Sequence, residues 1–180
     1  IESVDPLLRR AFAMKSAPAV AIVVNSPGGS PVQSRLISNR IRQLADEKGK
    51  PVLVFVEDAA ASGGYFIAVA GDEIFVDPSS IVGSIGVIMA TFGFVGALEK
   101  LGVERRVHTA GRNKSTLDPF LPEKQEDVER IKRFELDIHQ VFIDHVKQHR
   151  RGRLRAEDDV LFTGEWWPGM RGVELGLVDA

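Results

Sequence analysis

The stretch EDAAASGGYFIAVAGDEIFV, residues 57–76, decides how the rest of the chain is interpreted. It follows the apolar run 52–56, passes through small residues around Ser62, and continues with apolar residues at helical spacing. Small residues let another backbone or a substrate come close, and the glycine pair after Ser62 permits unusual backbone angles. We therefore predict that Ser62 lies where a strand ends and a short helix begins.

The segments before this stretch alternate between strand and helix patterns. APAVAIVVN (17–25) and PVLVFVED (51–58) are continuous β-branched runs, which predict strands buried on both faces. Between them, Ser30 and Pro31 are a cap and a first-turn proline, and Gly49 is a stop signal. These features predict a helix that connects two neighbouring parallel strands.

The segments after this stretch extend the same alternation. EIFVDP (73–78) and VERRVHTAG (103–111) predict further strands, residues 122–150 predict a long amphipathic helix, and the tail 163–180 predicts a turn, a short helix and a last strand. The whole pattern predicts an α/β fold of the mostly parallel type, with flanking helices and a long C-terminal amphipathic helix. With 180 residues and no repeat, we expect one domain, 1–180.

Composition excludes several classes of function. Charged residues make up 27% and apolar residues 44% of the chain, and the net charge of −2 gives no reason to expect a nucleic-acid partner. The chain has no cysteine, so disulfides and thiolate chemistry are absent. The one basic cluster, RRGRLR (150–155), is interpreted as a solvated helix end. No glycine turn is followed by the lysine of a phosphate loop, and we expect no cofactor.

Two glycine-rich turns follow the first two predicted strands. NSPGGS (25–30) and ASGGY (61–65) would lie side by side at the carboxyl edge of a parallel sheet, where ligands bind in such folds. Each turn could then direct a backbone N–H at a common point, as an oxyanion hole requires. Taken singly, Ser62 is better explained as a helix N-cap, and either turn as an ordinary loop.

A nucleophilic serine needs a base, and the chain offers histidine or lysine. Of the four histidines, only His108 lies at the end of a predicted strand, where a catalytic base is plausible. His139, His145 and His149 lie on the long helix and are interpreted as surface residues; no third ligand accompanies the last two, so we expect no metal site. Lys114 lies in a polar loop, where composition alone favours a solvated side chain.

Four motifs carry a resemblance to a known family. NSPGG, AASGGY, DEIFVDPSSIVGSIGVI and AGRNKST occur here in the order and spacing of the signal peptide peptidase A family, which includes the SohB-like proteins. The similarity covers nearly all of the chain, and family members are serine–lysine peptidases of the ClpP/crotonase fold. The resemblance implies Ser62 as nucleophile, Lys114 as general base, Ser84 as the residue that orients the lysine, and Gly29 and Gly63 as oxyanion donors.

The resemblance also implies how the protein works as a whole. It implies peptide substrates such as remnant signal peptides, a homo-oligomer, and a single-unit member that carries both dyad residues. We expect the chain to lack the family's first strand and any N-terminal anchor. We expect a bacterial, membrane-associated protein with a soluble peptidase domain, anchored through a segment outside this chain. The side of the membrane stays open, the cytoplasmic side included.

Other functions of the same fold stay open on the sequence. A crotonase-type acyl-CoA enzyme would share the two turns, and an assembly protein could keep the fold without catalysis. ClpP itself would need a histidine where this chain has Gly86, Val87 and Ile88. A carboxylate beside Lys114 would oppose the free amine, so we expect Asp118 to point away from it.

Overall fold

The computed structural model describes residues 1–180 as two compact units, one of residues 1–86 with 139–180 and one of residues 87–138. The bounds of the elements in chain order are α1 Asp5–Ala13, β1 Val20–Ser26, α2 Pro31–Lys48, β2 Val52–Ala61, α3 Gly63–Ala68, β3 Glu73–Val76, β4 Ile81–Gly83, α4 Val95–Leu101, α5 Gln125–His149, α6 Asp158–Leu161, β5 Trp166–Pro168 and α7 Gly169–Leu175.

Strand β2 organises the five-stranded sheet of the first unit. β1 runs parallel to it along one edge, while β3 and β4 run parallel to the first and last parts of its other edge. β5 is antiparallel to β4. The protein is therefore a mixed α/β fold with a mostly parallel sheet and flanking helices, as the alternation of strand and helix patterns predicted.

Strand β1 and the first part of β2 leave one face exposed, which corrects the expectation of strands buried on both faces. Val52, Val54 and Val56 are buried in the core, whereas Phe55 and Val23, which point the other way, are 41% and 61% exposed. Helix α3 packs on β1 and β2, and α2 packs on α3. A continuous β-branched run carries no period-two signal, so its composition cannot distinguish one covered face from two.

The helix signals around the first glycine turn are confirmed. The Ser30 side chain accepts a hydrogen bond from the Gln33 amide at 3.4 Å, and α2 begins at the following proline. Gly49 ends α2 in the left-handed conformation that glycine adopts without strain. α2 is thereby fixed between the turn that precedes it and the strand that follows.

The C-terminal tail closes the first unit without forming the predicted last strand. α7 ends at Gly176, and the buried Tyr65 hydroxyl donates to the Leu177 carbonyl at 2.7 Å. Arg150 is only 1% exposed and its guanidinium binds both Gly176 O and the Asp179 carboxylate. The interpretation of the basic cluster as solvated is therefore wrong for Arg150, which a run of arginines in the sequence could not reveal.

The second unit contains no strand, so the strand expected at residues 103–111 is absent. The alternating pattern is present there, but this unit offers no neighbouring strand for it to pair with. None of the protein's buried hydrophobic residues belongs to residues 87–138. The long helix begins at Gln125 rather than Pro122, and three elements follow it before the C-terminus.

Candidate active site

The two glycine turns lie against each other, as predicted. A Cβ placed on Gly28 would lie 2.8 Å from Ser62 Cβ, and one on Gly63 would lie 3.2 Å from the Gly29 nitrogen. A Cβ on Gly64 would lie 2.4 Å from the Ser26 carbonyl oxygen, closer than atoms can approach. The absence of side chains at Gly28, Gly63 and Gly64 therefore lets the two turns come into contact beside Ser62.

Ser62 has a strained backbone, with φ 49° and ψ −121°. Its side chain makes no capping hydrogen bond to α3, so the interpretation of Ser62 as an N-cap is wrong. A serine with positive φ costs of order 1–3 kcal/mol, and such residues persist where the surrounding structure enforces them, commonly at functional sites. The turn holds the hydroxyl at the junction of β2 and α3, where no helix amide engages it.

Ser84 lies at the end of the neighbouring strand and is strained in the same way, with φ 54°. The Ser62 amide donates to the Gly83 carbonyl at 2.8 Å, and the Ser84 amide donates to Glu165 O at 2.7 Å. Only three non-glycine residues of the chain have positive φ, and Ser62 and Ser84 are two of them. The sequence offered no signal for the strain at Ser84, because nothing about an isolated serine demands positive φ.

Two backbone amides beside Ser62 remain available. The Gly28 amide donates to Ser26 Oγ at 3.2 Å, which fixes the first turn. The amides of Gly29 and Gly63 donate to no protein acceptor. Ser26 was missed as a supporting residue, although a serine two residues before a glycine is a recognisable turn signal.

Lys114 lies in the second unit, in the loop between α4 and α5. Its side chain is exposed and takes part in no salt bridge, and its amide donates to Gly111 O at 3.1 Å. Asp118, four residues on, is bound instead by the Arg105 guanidinium at 3.0 Å. A hydrogen bond from the Phe120 amide, together with Arg105, holds the pKa of Asp118 below its usual range. Asp118 thus forms its ion pair with Arg105 and none with Lys114.

The histidines differ from their expected roles. His108 is exposed and lies in no strand, so the strand end that made it a candidate base is not formed. His145 is buried rather than on the surface: its Nε2 lies 3.1 Å from Ser38 Oγ and 3.1 Å from the Phe66 carbonyl oxygen. His139 Nε2 contacts Ile85 O at 2.9 Å. No cluster of histidine and carboxylate side chains suited to a metal ion is present.

A strained serine at a strand–helix turn, with two unpaired amides beside it, is the geometry of enzymes that form acyl intermediates on a serine. Comparison with known proteins gives the family. The model of peptidase family S49 matches residues 45–180, and the chain belongs to that family.

Individual relatives match nearly the whole of this chain, but the match takes up only part of each relative's own length. A Brucella melitensis protein named Na(+)/H(+) antiporter NhaA is 63% identical over 99% of this chain but only 24% of its own length. A putative protease of Methanocaldococcus jannaschii is 34% identical over 91% of this chain and 52% of its own. A putative signal peptide peptidase SppA of Enterococcus faecium is 32% identical over 92% and 47%. The chain thus spans between a quarter and half of these relatives.

The helices give no sign of a membrane span. Even the longest, α5, is too rich in charged side chains to qualify as a bilayer-crossing segment.

Proposed function

We propose that the protein is a serine endopeptidase of the ClpP/crotonase fold that uses a dyad of Ser62 and Lys114. The observation that carries the proposal is the strained Ser62, whose hydroxyl is free of capping bonds and lies beside the unpaired amides of Gly29 and Gly63. Family membership and the protease names of several relatives support it. The antiporter name is not carried over, because the chain matches only 24% of that protein.

The proposed reaction proceeds through an acyl-enzyme. The free amine of Lys114 accepts the proton of Ser62 Oγ as that oxygen attacks the scissile carbonyl carbon. The amides of Gly29 and Gly63 stabilise the oxyanion, and the leaving amine takes the proton back from the lysine ammonium as the C–N bond breaks. Water then attacks the ester carbonyl as Lys114 takes its proton, and the lysine ammonium returns that proton to Ser62 Oγ as the acyl C–O bond breaks and the acid product leaves. Ser84 orients the lysine without adding a charge.

The proposed substrates are extended peptides, in particular remnant signal peptides and other segments released from membranes. A peptide must be unfolded to bring its backbone carbonyl against the two turns. The glycine turn at 27–29 and the stretch GSIGV (83–87) have small or apolar side chains, which suits cleavage after small or hydrophobic residues. We place the protein at a bacterial membrane, held by a segment outside this chain.

We also propose a homo-oligomer. Lys114 is exposed in the single chain, whereas a lysine acts as a base near neutral pH only where its ammonium form is disfavoured, and burial does this. A bound substrate or a second copy could supply that burial. Residues 87–138 contain no buried hydrophobic side chain, so their apolar residues are available for contact with another copy.

Two other classes of function are alternatives to the peptidase, and activity measurements distinguish them from it. A crotonase-type enzyme would act on acyl-CoA thioesters, and an assembly protein would hydrolyse nothing. Hydrolysis of a small ester or an unfolded peptide, lost on substitution of Ser62, separates the peptidase from both.

The test is the pair of variants Ser62→Ala and Lys114→Ala. Each should abolish hydrolysis of a fluorogenic peptide, and Ser62→Ala should also abolish covalent labelling by a fluorophosphonate. Thermal unfolding should stay within a few degrees of wild type, because Ser62 makes no side-chain capping bond and Lys114 no salt bridge. Ser79→Ala and Lys100→Ala, at exposed positions, are the matched controls. Full activity in either dyad variant would remove that residue from the mechanism.

A further inference from the structure

Helix α3 depends on tertiary contacts for its position. It has only six residues, too few to be stable alone, and the serine that precedes it provides no side-chain cap. Two side-chain hydrogen bonds link its residues to other elements: Tyr65 donates to Leu177 O, and the Phe66 carbonyl is met by His145 Nε2. The second of these bonds comes from α5.

His145 connects three helices. Its Nε2 lies 3.1 Å from Phe66 O on α3 and 3.1 Å from Ser38 Oγ on α2. A carbonyl oxygen can only accept, so Nε2 carries the hydrogen and Ser38 Oγ shares it. The imidazole also stacks on the Phe66 ring, with centroids 3.9 Å apart and planes inclined by 8°.

The bond from His145 is one step from the strained serine. The Phe66 amide donates to the Ser62 carbonyl at 2.9 Å, and the Phe66 carbonyl accepts from His145. Phe66 therefore connects His145 to Ser62 through two hydrogen bonds. A positive-φ serine persists only where its neighbours enforce the conformation. The backbone that follows Ser62 must therefore be fixed, and His145 supplies one of its fixed points.

The surroundings of His145 keep it a neutral donor. Burial, followed by the charge of His149, lowers the pKa of His145 to about 4. Arg35 and Arg42 from α2, and Asp144 and His149 from α5, are the charged and titratable groups of the open groove, about 430 Å³ in volume, onto which the imidazole faces. The neutral form gives the Phe66 carbonyl an N–H without burying a charge. A leucine would fill the same space but leave that carbonyl unpaired.

We propose that His145 is a positioning residue, which donates to the Phe66 carbonyl and thereby holds the nucleophile-bearing turn at Ser62 in its reactive conformation. The inference rests on the proposed role of Ser62. His145 takes no part in the proton transfers. Its loss should therefore lower the rate of the chemical step and leave substrate binding unchanged.

The test compares His145→Leu, which removes the donor, with His145→Gln, which keeps an N–H at similar reach. Gln140→Leu is the matched control, since Gln140 is an exposed residue of the same helix and makes its hydrogen bond to Asp144 rather than to α3. With the fluorogenic peptide, we expect His145→Leu to lower kcat at least tenfold with KM within twofold, and the rate of fluorophosphonate labelling to fall in parallel. His145→Gln should recover most of both rates.

Amide hydrogen exchange tests the same bond without using activity. In His145→Leu, exchange across residues 63–69 should become at least tenfold faster than in Gln140→Leu, with the amides of β2 unchanged. Unaltered exchange in that segment, an effect on KM alone, or failure of His145→Gln to recover kcat would overturn the inference. A wild-type protein without any Ser62-dependent hydrolysis would instead refute the proposed function, and the exchange measurement would still decide whether His145 holds α3.

Discussion

At the scale of single residues, the site depends on positions where no side chain fits. Gly64→Ala would put a methyl group 2.4 Å from the Ser26 carbonyl oxygen and 3.0 Å from Ser26 Cβ, so one of the two turns must shift. We expect a loss of at least tenfold in kcat and about 1–3 kcal/mol in the free energy of unfolding. Peptide hydrolysis and urea unfolding of the purified variant measure both.

Gly96→Ala is the control for this substitution. Gly96 lies in α4, where an added Cβ meets nothing within 4 Å. Alanine favours a helix over glycine by up to about 1 kcal/mol, so this variant should be as stable as wild type or slightly more so, with unchanged activity. Equal effects of the two alanines would show that contact between the turns is unimportant.

The residues of the site were predictable to different degrees. The prediction that the two turns meet followed from glycine pairs after consecutive parallel strands, and the structure brings Gly28 and Gly63 into that contact. The strain at Ser62 and Ser84 was not predictable, because backbone angles of a serine depend on the neighbouring strand and loop. The pairing of Ser62 with Lys114 rests on resemblance alone and stays a prediction.

At the scale of elements, the tail is held by an ion pair between the buried Arg150 and the partly exposed Asp179. Arg150 Nη1 lies 2.8 Å from the Asp179 carboxylate, which also accepts from the Ile74 amide at 2.8 Å. Burial acts to raise the pKa of Asp179, but these bonds outweigh it and the pKa is lowered. The ion pair of Asp179 therefore stabilises the folded protein at pH values above the ordinary pKa of an aspartate. This stabilisation is lost as the pH falls through the lower pKa that Asp179 has in the folded protein. Asp179→Asn should cost about 3 kcal/mol by leaving the arginine charge uncompensated, measured by urea unfolding at neutral pH.

Glu174→Gln supplies the comparison for the ion pair. Glu174 pairs with Arg171 on the surface of α7, where both side chains are more than half exposed. Exposed pairs contribute about 0–1 kcal/mol, so this variant should unfold close to wild type. A loss as large as that of Asp179→Asn would mean that the tail is sensitive to any change of charge.

The contact between α5 and α3 predicts a distinct pH dependence of stability. The pKa of His145 is about 4 in the folded protein against an ordinary 6.5, so between these values the unfolded chain binds a proton that the native protein does not. The free energy of unfolding should therefore fall by about 3 kcal/mol as pH is lowered from 6.5 to 4. Urea unfolding across this range should show the slope in wild type but not in His145→Gln; equal slopes would contradict the assignment.

Elements with local signals were predicted better than those that depend on partners. Ser30 and Gly49 marked α2 because capping is a property of the few residues at a helix end. The strand expected at 103–111 failed because a strand needs a neighbour, and the second unit contains none. β5 was missed as a strand because its three residues depend on antiparallel pairing with β4. α1 had only a first-turn proline and an amphipathic pattern, and it was not predicted.

At the scale of the whole molecule, exposed apolar side chains are denser in the second unit, where nine of the twenty large ones lie within 52 of the 180 residues. Several large side chains there are exposed, among them Ile88 at 87% and Phe92 at 78%. Trp166, in the first unit, is 59% exposed as well, while Trp167 is buried. Aromatic and aliphatic residues at this density are typical of the buried centre of protein interfaces. A second copy of the chain would cover these side chains, because the second unit has no buried hydrophobic core against which they could pack.

We expect the protein to self-associate and its peptidase activity to depend on the assembly. Light scattering at several concentrations should give a mass above that of one chain, and specific activity should fall on dilution as the assembly dissociates. Ile88→Asp and Phe92→Asp should lower the mass and the activity together, because a carboxylate buried in an apolar contact is strongly unfavourable while one exposed on a monomer is not. Leu7→Asp, at a position of α1 that is 62% exposed, should change neither. A wild-type protein that is strictly monomeric and fully active would refute both the oligomer and its part in burying Lys114.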